Sequence, residues 1–218
     1  MEIRSNYHNK LNAVFNDVIQ MGDVVIEALH LGLESLVNAD KKLAEQVIEG
    51  DKEVDRLELV LQDRCVLLLA KETPVATELR EVVTVIKIIS ELERLGDHAK
   101  HLAQKAGKVN KKGLKLAAPI FEDMLEYAIQ MVEEALRAFL EQDSKWAREI
   151  AKRDNFIDEK YADLYTQLVN LIKDKPNKAE NLIPLIFLNR HLERVGDRVT
   201  NICEFVVYST TNKHTDLN

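Results

Sequence analysis

Leu92-Glu93-Arg94-Leu95-Gly96-Asp97 returns one hundred positions later as Leu192-Glu193-Arg194-Val195-Gly196-Asp197, with one aliphatic exchange between the copies. A chain carrying such a repeat folds as two copies of one unit, which excludes most single-domain topologies at a stroke. The repeat extends well beyond the hexapeptide. At an offset of 103, Leu33 falls on Leu136, Leu36 on Phe139, Asp40 on Asp143, Asp51 on Asp154 and Asp55 on Asp158. At an offset of 100, Val82, Ile86 and Ile88 fall on Leu182, Ile186 and Leu188. The three missing residues belong in a loop before Pro176, because a three-residue deletion inside a helix would rotate its apolar face.

The unit is helical. Only 7 Gly and 4 Pro interrupt 218 residues rich in Leu, Val, Ala, Glu and Lys, which leaves little room for turn-rich β structure. Apolar residues recur at helical spacing, as in Leu11, Val14, Phe15, Val18 and then Val25, Leu29, Leu33, Leu36. The pattern predicts six long helices. The first runs over 3–38, and Asp40 caps a second that reaches about Lys71. Thr73 and Pro74 open the third as N-cap and first helical residue. The basic, Gly-bounded stretch from Gly107 to Gly113 reads as the connector between halves. The fourth helix is expected over 118–142 and the fifth, capped by Asp143, over 144–173. Lys175-Pro176-Asn177 opens a sixth ending near Ser209, with Pro184 starting its regular part or kinking it. The fold class is therefore all-α, two tandem antiparallel three-helix bundles related by internal duplication, with domains at 1–108 and 114–212.

Charge and composition narrow the function. A net charge of −7 argues against nucleic acid as a primary ligand, since phosphate-backbone binding needs a basic face. The polar start of the chain lacks an apolar signal core, and no apolar run reaches the roughly 18–20 residues of a membrane span. A cytoplasmic protein is expected, meeting a membrane only indirectly. The chain is long enough to bury its own core without a disulfide or metal to make it fold. Cys65 and Cys203 stand alone in helical patterns and read as reduced, buried thiols.

The chemistry lies in the acids. Each repeat carries two i, i+4 pairs: Asp51 with Asp55 and Glu93 with Asp97, then Asp154 with Asp158 and Glu193 with Asp197. That spacing puts both members on one helix face, where like charges repel unless a cation compensates them. Two compensators are open. Carboxylates from neighbouring helices can hold hard ions such as Mg²⁺, Mn²⁺ or iron. Alternatively, Arg94 and Arg194 can pair across helices with the aspartates in a purely structural network. Gly96 and Gly196, inside helices, imply a close approach of backbone, ligand or partner. His98 and His101 become Arg198 and Asn201 in the second copy, so no His ligand is common to both; they read as solvent-facing polar residues. His8, His191 and Trp146 carry no partner pattern. Glu27 and His30 form a single Glu-x-x-His whose second copy has Glu133 in place of the His, which excludes a ferritin-type site. Phosphate loops, nucleophile elbows and zinc-spaced Cys/His sets are absent from the sequence.

Glu93-Arg94-x-Gly96-Asp97-His98-Ala99 and Glu193-Arg194-x-Gly196-Asp197, with Asp51-x-x-x-Asp55, Asp154-x-x-x-Asp158 and Pro74-x-Ala76-x-Glu78-Leu79-Arg80, resemble the PhoU family of phosphate-uptake regulators over essentially the whole chain. The resemblance implies a regulator rather than an enzyme. It implies damping of phosphate uptake and of the starvation response, together with the phosphate ABC transporter ATPase and a phosphate-sensing histidine kinase. It implies metal ions held by Asp51, Asp55, Glu93 and Asp97 at one site and by Asp154, Asp158, Glu193 and Asp197 at the other; iron, Mg or Mn are the candidates, with Zn a further one. A di-metal carboxylate enzyme and a metal-free helical adaptor are the alternatives. His101 replaces the family's usual Asn and Arg198 its usual His, the latter adding positive charge beside the second site. A homodimer through an amphipathic helix is a further expectation.

Overall fold

The computed structural model describes residues 2–217, with side chains from Tyr7 onward. Among the described residues there is no strand, and seven α-helices follow one another: α1 (Glu2–Asn38), α2 (Lys41–Glu72), α3 (Ala76–Ala103), α4 (Lys111–Glu141), α5 (Ser144–Ala151), α6 (Asp154–Asp174) and α7 (Ala179–Thr211). The first three pack on one another as one bundle. Helices α4 to α7 form the second, with α5 and α6 together in the place that α2 takes in the first.

The duplication reaches down to the turns. Ala39 and Gln142 both take the left-handed conformation, with φ of 54° and 53°. In each copy the following Asp donates its N–H five residues back, Asp40 to the Ser35 carbonyl and Asp143 to the Ala138 carbonyl, both at 2.9 Å. Its side chain then accepts two N–H groups of the next helix, closing one helix and capping its successor in three residues.

Four boundaries depart from expectation. Thr73 is no N-cap: it terminates α2 in a left-handed conformation with φ of 44°, and α3 starts after Val75, whose N–H is held at 3.0 Å by Glu78 Oε2. α4 begins at Lys111 rather than near 118, because Asn110 Oδ1 accepts from Lys112 and Gly113 N–H. Gly113 is not a loop residue but a helix contact, where an added Cβ would stand 3.0 Å from Leu185 Cδ1. The expected fifth helix is two, broken at Lys152 and Arg153 by tight three-residue hydrogen bonds from Arg153 N to Ile150 O and Phe156 N to Arg153 O. The sixth opens on a short 3₁₀ turn at Pro176–Lys178, and α7 then runs through Pro184.

One apolar core serves both bundles. Helix α3 packs along α7 and α1 against α4, and the buried residues, from Tyr7 through Phe121 and Phe139 to Val207, form a single connected cluster. Cys65 and Cys203 lie within it as free thiols, pushed up to about 11 and about 12 by burial. No helix is long and apolar enough to cross a membrane among the described residues.

Candidate functional site

Gly96 and Gly196 let α3 and α7 approach the preceding helix of their own bundle. A Cβ at Gly96 would meet Val54 Cγ1 at 3.1 Å, and one at Gly196 would meet Ile157 Cδ1 at 3.0 Å and overlap Asp154 Oδ1. The close approach anticipated from the sequence is thus with the neighbouring helix. It also brings the two acidic pairs of each repeat face to face.

In the first repeat, burial pushes the Glu93 carboxyl up to about 7, and the charges of Asp97, Glu58, Asp55 and Asp51 push it the same way. All four predicted residues therefore share one electrostatic site. Glu58, one turn beyond Asp55, is a fifth acid the motif did not include. The compensating cation is not Arg94, which turns to Glu91 on its own helix at 2.6 Å. It is Lys100, whose ammonium pairs with buried Asp51 and lies 3.6 Å from Asp97.

The second repeat assembles the same way with different neighbours. Asp154 is raised to about 7 by burial and by Asp158, Asp197 and Glu193, against one opposing hydrogen bond from Thr200 Oγ1 at 3.4 Å. Asp158 and Glu193 are raised too, in both cases first by burial and next by Asp197. Thr200 stands where the first copy has Lys100, so among the described residues no ammonium pairs with this buried aspartate. Arg190 pairs with Glu193 from the opposite end, while exposed Arg194 acts only through space. Asp154 Oδ1 and Glu193 Oε2 are left buried without a hydrogen-bond partner.

Arg198 does not add its charge to this set. Its guanidinium reaches across the α3–α7 interface to Glu91 at 3.2 Å, and Asn201 Nδ2 donates to the same carboxylate at 3.1 Å. The histidines depart further from expectation. His98 is buried, 8 % exposed, with Nδ1 at 3.4 Å from His191 Nδ1 on α7. His101 stacks on His191 with ring centroids 4.8 Å apart. Burial, the neighbouring imidazoles and nearby Arg198 and Arg194 bring His98 down to about 3, so it is neutral at physiological pH. Among the described residues, these three form the one His/Cys/Asp/Glu group gathered closely enough to hold a metal ion, with their ligand atoms all within 4.8 Å of one another. The sequence signal was hidden because His191 lies a full repeat from its partners.

The duplicated sequence matches a known domain. The PhoU domain matches twice, at residues 18–106 and 121–206. The chain belongs to the PhoU family. A phosphate-specific transport system accessory protein PhoU homolog of Clostridium acetobutylicum is 31% identical over 217 residues, covering 99% of both chains. The PhoU accessory protein of Escherichia coli is 33% identical over 207 residues, covering 94% of this chain and 86% of that one. The crystal structure of the phosphate transport system regulatory protein PhoU from Streptococcus pneumoniae superposes with a TM-score of 0.89 at 28% identity, over 96% of this chain and 99% of that one. That of PhoU from Pseudomonas aeruginosa gives 0.86 at 29% identity, over 95% and 100%. The first two relatives are named as accessory proteins and the third as a regulatory protein, and the expectation of a regulator rather than an enzyme agrees with them.

Proposed function

We propose that the chain is a cytoplasmic negative regulator of phosphate uptake and of the phosphate-starvation response, acting with the ATPase of the phosphate ABC transporter and with a phosphate-sensing histidine kinase. The supporting observation is that a chain of this family, matched in both repeats, also assembles all eight acidic motif residues into two sets. Leu59, Val66 and Leu67 on α2 and Phe187 on α7 leave apolar surface on which a protein partner could dock. The test is genetic. Deletion of the gene in its host should raise phosphate uptake and starvation-gene expression in phosphate-rich medium, and unchanged levels of both would reject the reading.

Metal binding by the acidic sets is part of the same proposal. The residues fit a hard cation: five acids face one lysine in the first set, and four face Arg190 and, more weakly, the exposed Arg194 in the second. The two unpartnered oxygens lie in the second set, which makes it the stronger candidate. Asp154, Asp158, Glu193 and Asp197 would hold an ion there, and Asp51, Asp55, Glu93 and Asp97 one in the first repeat. A bound ion supplies charge neutralisation, which lets the carboxylates stay ionised at the helix interface. Lys100 and Arg190 favour a second reading, a metal-free adaptor in which these cations suffice. Elemental analysis of gently purified protein separates the two: iron, Mn, Mg or Zn lost on Asp154→Asn supports the first, and absence of metal from wild type supports the second.

A further inference from the structure

At an offset of 100 the interface between α3 and α7 presents one three-residue constellation twice. One copy is Glu91, Arg198 and Asn201; the other is His191, His98 and His101. The first is closed by its own chemistry, since Glu91 accepts from both Arg198 and Asn201 across the interface. The second has no acid in it. Two of its imidazoles approach Nδ1 to Nδ1 at 3.4 Å, a contact that a single Nδ1–H can bridge in the metal-free protein and that a metal ion can take over by binding ring nitrogens.

We propose that His98, His101 and His191 form a nitrogen-ligand metal site at the junction of the two repeats, distinct from the carboxylate sets and selective for imidazole-seeking ions of the Zn²⁺, Ni²⁺ and Cu²⁺ class. Three observations converge. The ligand atoms of the three residues lie within 4.8 Å of one another, and tetrahedral zinc with bonds of about 2.0–2.1 Å to nitrogen needs them about 3.4 Å apart, a spacing one pair already has. The Asp97 carbonyl accepts from His101 Nδ1 at 2.7 Å, which fixes the proton there and leaves Nε2 as the free lone pair. His98 and His101 sit three residues apart on α3 while His191 comes from α7, so the ligands are held by two packed helices rather than by loops.

Positive charge nearby sharpens the choice of ion. Arg194 and Lys105 act on His191, and Arg194 and Arg198 on His98, although Arg198 is already matched by Glu91. A weakly bonded hard ion such as Mg²⁺ gains too little from imidazole to overcome that field. Ions late in the first-row series, which bond imidazole strongly, can.

The experiment uses untagged full-length protein titrated with Cu²⁺ and followed by electron paramagnetic resonance, with Zn²⁺ uptake measured in parallel by equilibrium dialysis. Nitrogen superhyperfine splitting is expected in wild type and in Asp154→Asn. The pattern should lose one nitrogen's contribution in His191→Gln and in His101→Gln, with Zn²⁺ affinity at this site falling about tenfold or more, at least the loss seen when a mere outer-shell partner of a metal is removed. Circular dichroism checks each variant's fold, and the half-buried His101 gives a second variant should His191→Gln misfold. A splitting pattern and Zn²⁺ affinity left unchanged by each of the two histidine substitutions, or a wild-type spectrum showing oxygen donors alone, overturns the proposal. Loss of metal from Asp154→Asn alone would instead bear on the carboxylate sets and leave this site intact.

Discussion

Asp154 concentrates the cost of the acidic sets in one side chain. It is buried, one carboxylate oxygen has no partner, and the other takes a single long bond from Thr200. Its ordinary value of 3.8 rises to about 7 in the fold, so below 3.8 it is neutral in both folded and unfolded chains. Between those values the unfolded chain ionises while the folded one keeps its proton, and stability falls as pH rises. Metal-free protein should therefore lose stability from about pH 4 to pH 7 at this residue, and a bound ion should flatten that slope. Asp154→Asn should stabilise the metal-free protein at pH 7.5 by on the order of 1 kcal/mol, because it removes a buried charge without a matched partner. Urea denaturation at pH 5 and pH 7.5, with and without chelator, measures both effects; a less stable Asn variant at pH 7.5 in chelator would contradict them.

Helix contacts decide how far the two repeats can differ. Gly96 and Gly196 occupy equivalent places, yet one faces Val54 and the other the Asp154 carboxylate. Ala in place of Gly196 must displace both that carboxylate and Ile157, whereas at Gly96 a shift of Val54 by a few tenths of an ångström suffices. Gly196→Ala should thus destabilise by about 1–3 kcal/mol. Gly96→Ala should come out near neutral, since the better helix propensity of Ala, up to about 1 kcal/mol, offsets the crowding. Denaturation midpoints of the two variants settle the comparison, and equal losses would mean that the two interfaces are packed alike. The helices themselves were legible from apolar spacing, but their ends were not. Thr73 looked like an N-cap until the left-handed ending of α2 claimed it, and Gly113 looked like a loop until α7 packed on it.

Across the whole molecule the two bundles behave as one body, because α1 against α4 and α3 against α7 carry a common core between them. The polar centre of that seam is Glu91, which receives Arg94, Arg198 and Asn201 at once. Glu91→Gln leaves Arg198 partly buried opposite a neutral amide and should destabilise by about 3 kcal/mol. Adding Arg198→Met should recover much of that loss, since the stranded charge goes too. A double-mutant cycle in thermal unfolding reads the coupling, and simple additivity of the two changes would show that Arg198 does not depend on Glu91.

The repeated hexapeptide and the i, i+4 acids were enough to specify an all-helical duplicated chain and the eight carboxylates of its two sets, because helical periodicity and sequence offset are local properties that a linear reading preserves. Which cation meets which carboxylate was decided only in three dimensions. Lys100 meets Asp51 and Arg190 meets Glu193, while Arg94 and Arg194, the candidates open in the sequence, pair with neither set of aspartates, and Arg198 reaches across to Glu91, since a long side chain goes to a buried opposite charge within its reach whatever helix carries it. The histidine cluster is the extreme case. His98 and His191 lie 93 residues apart along the chain, and only the packing of α3 on α7 makes them neighbours.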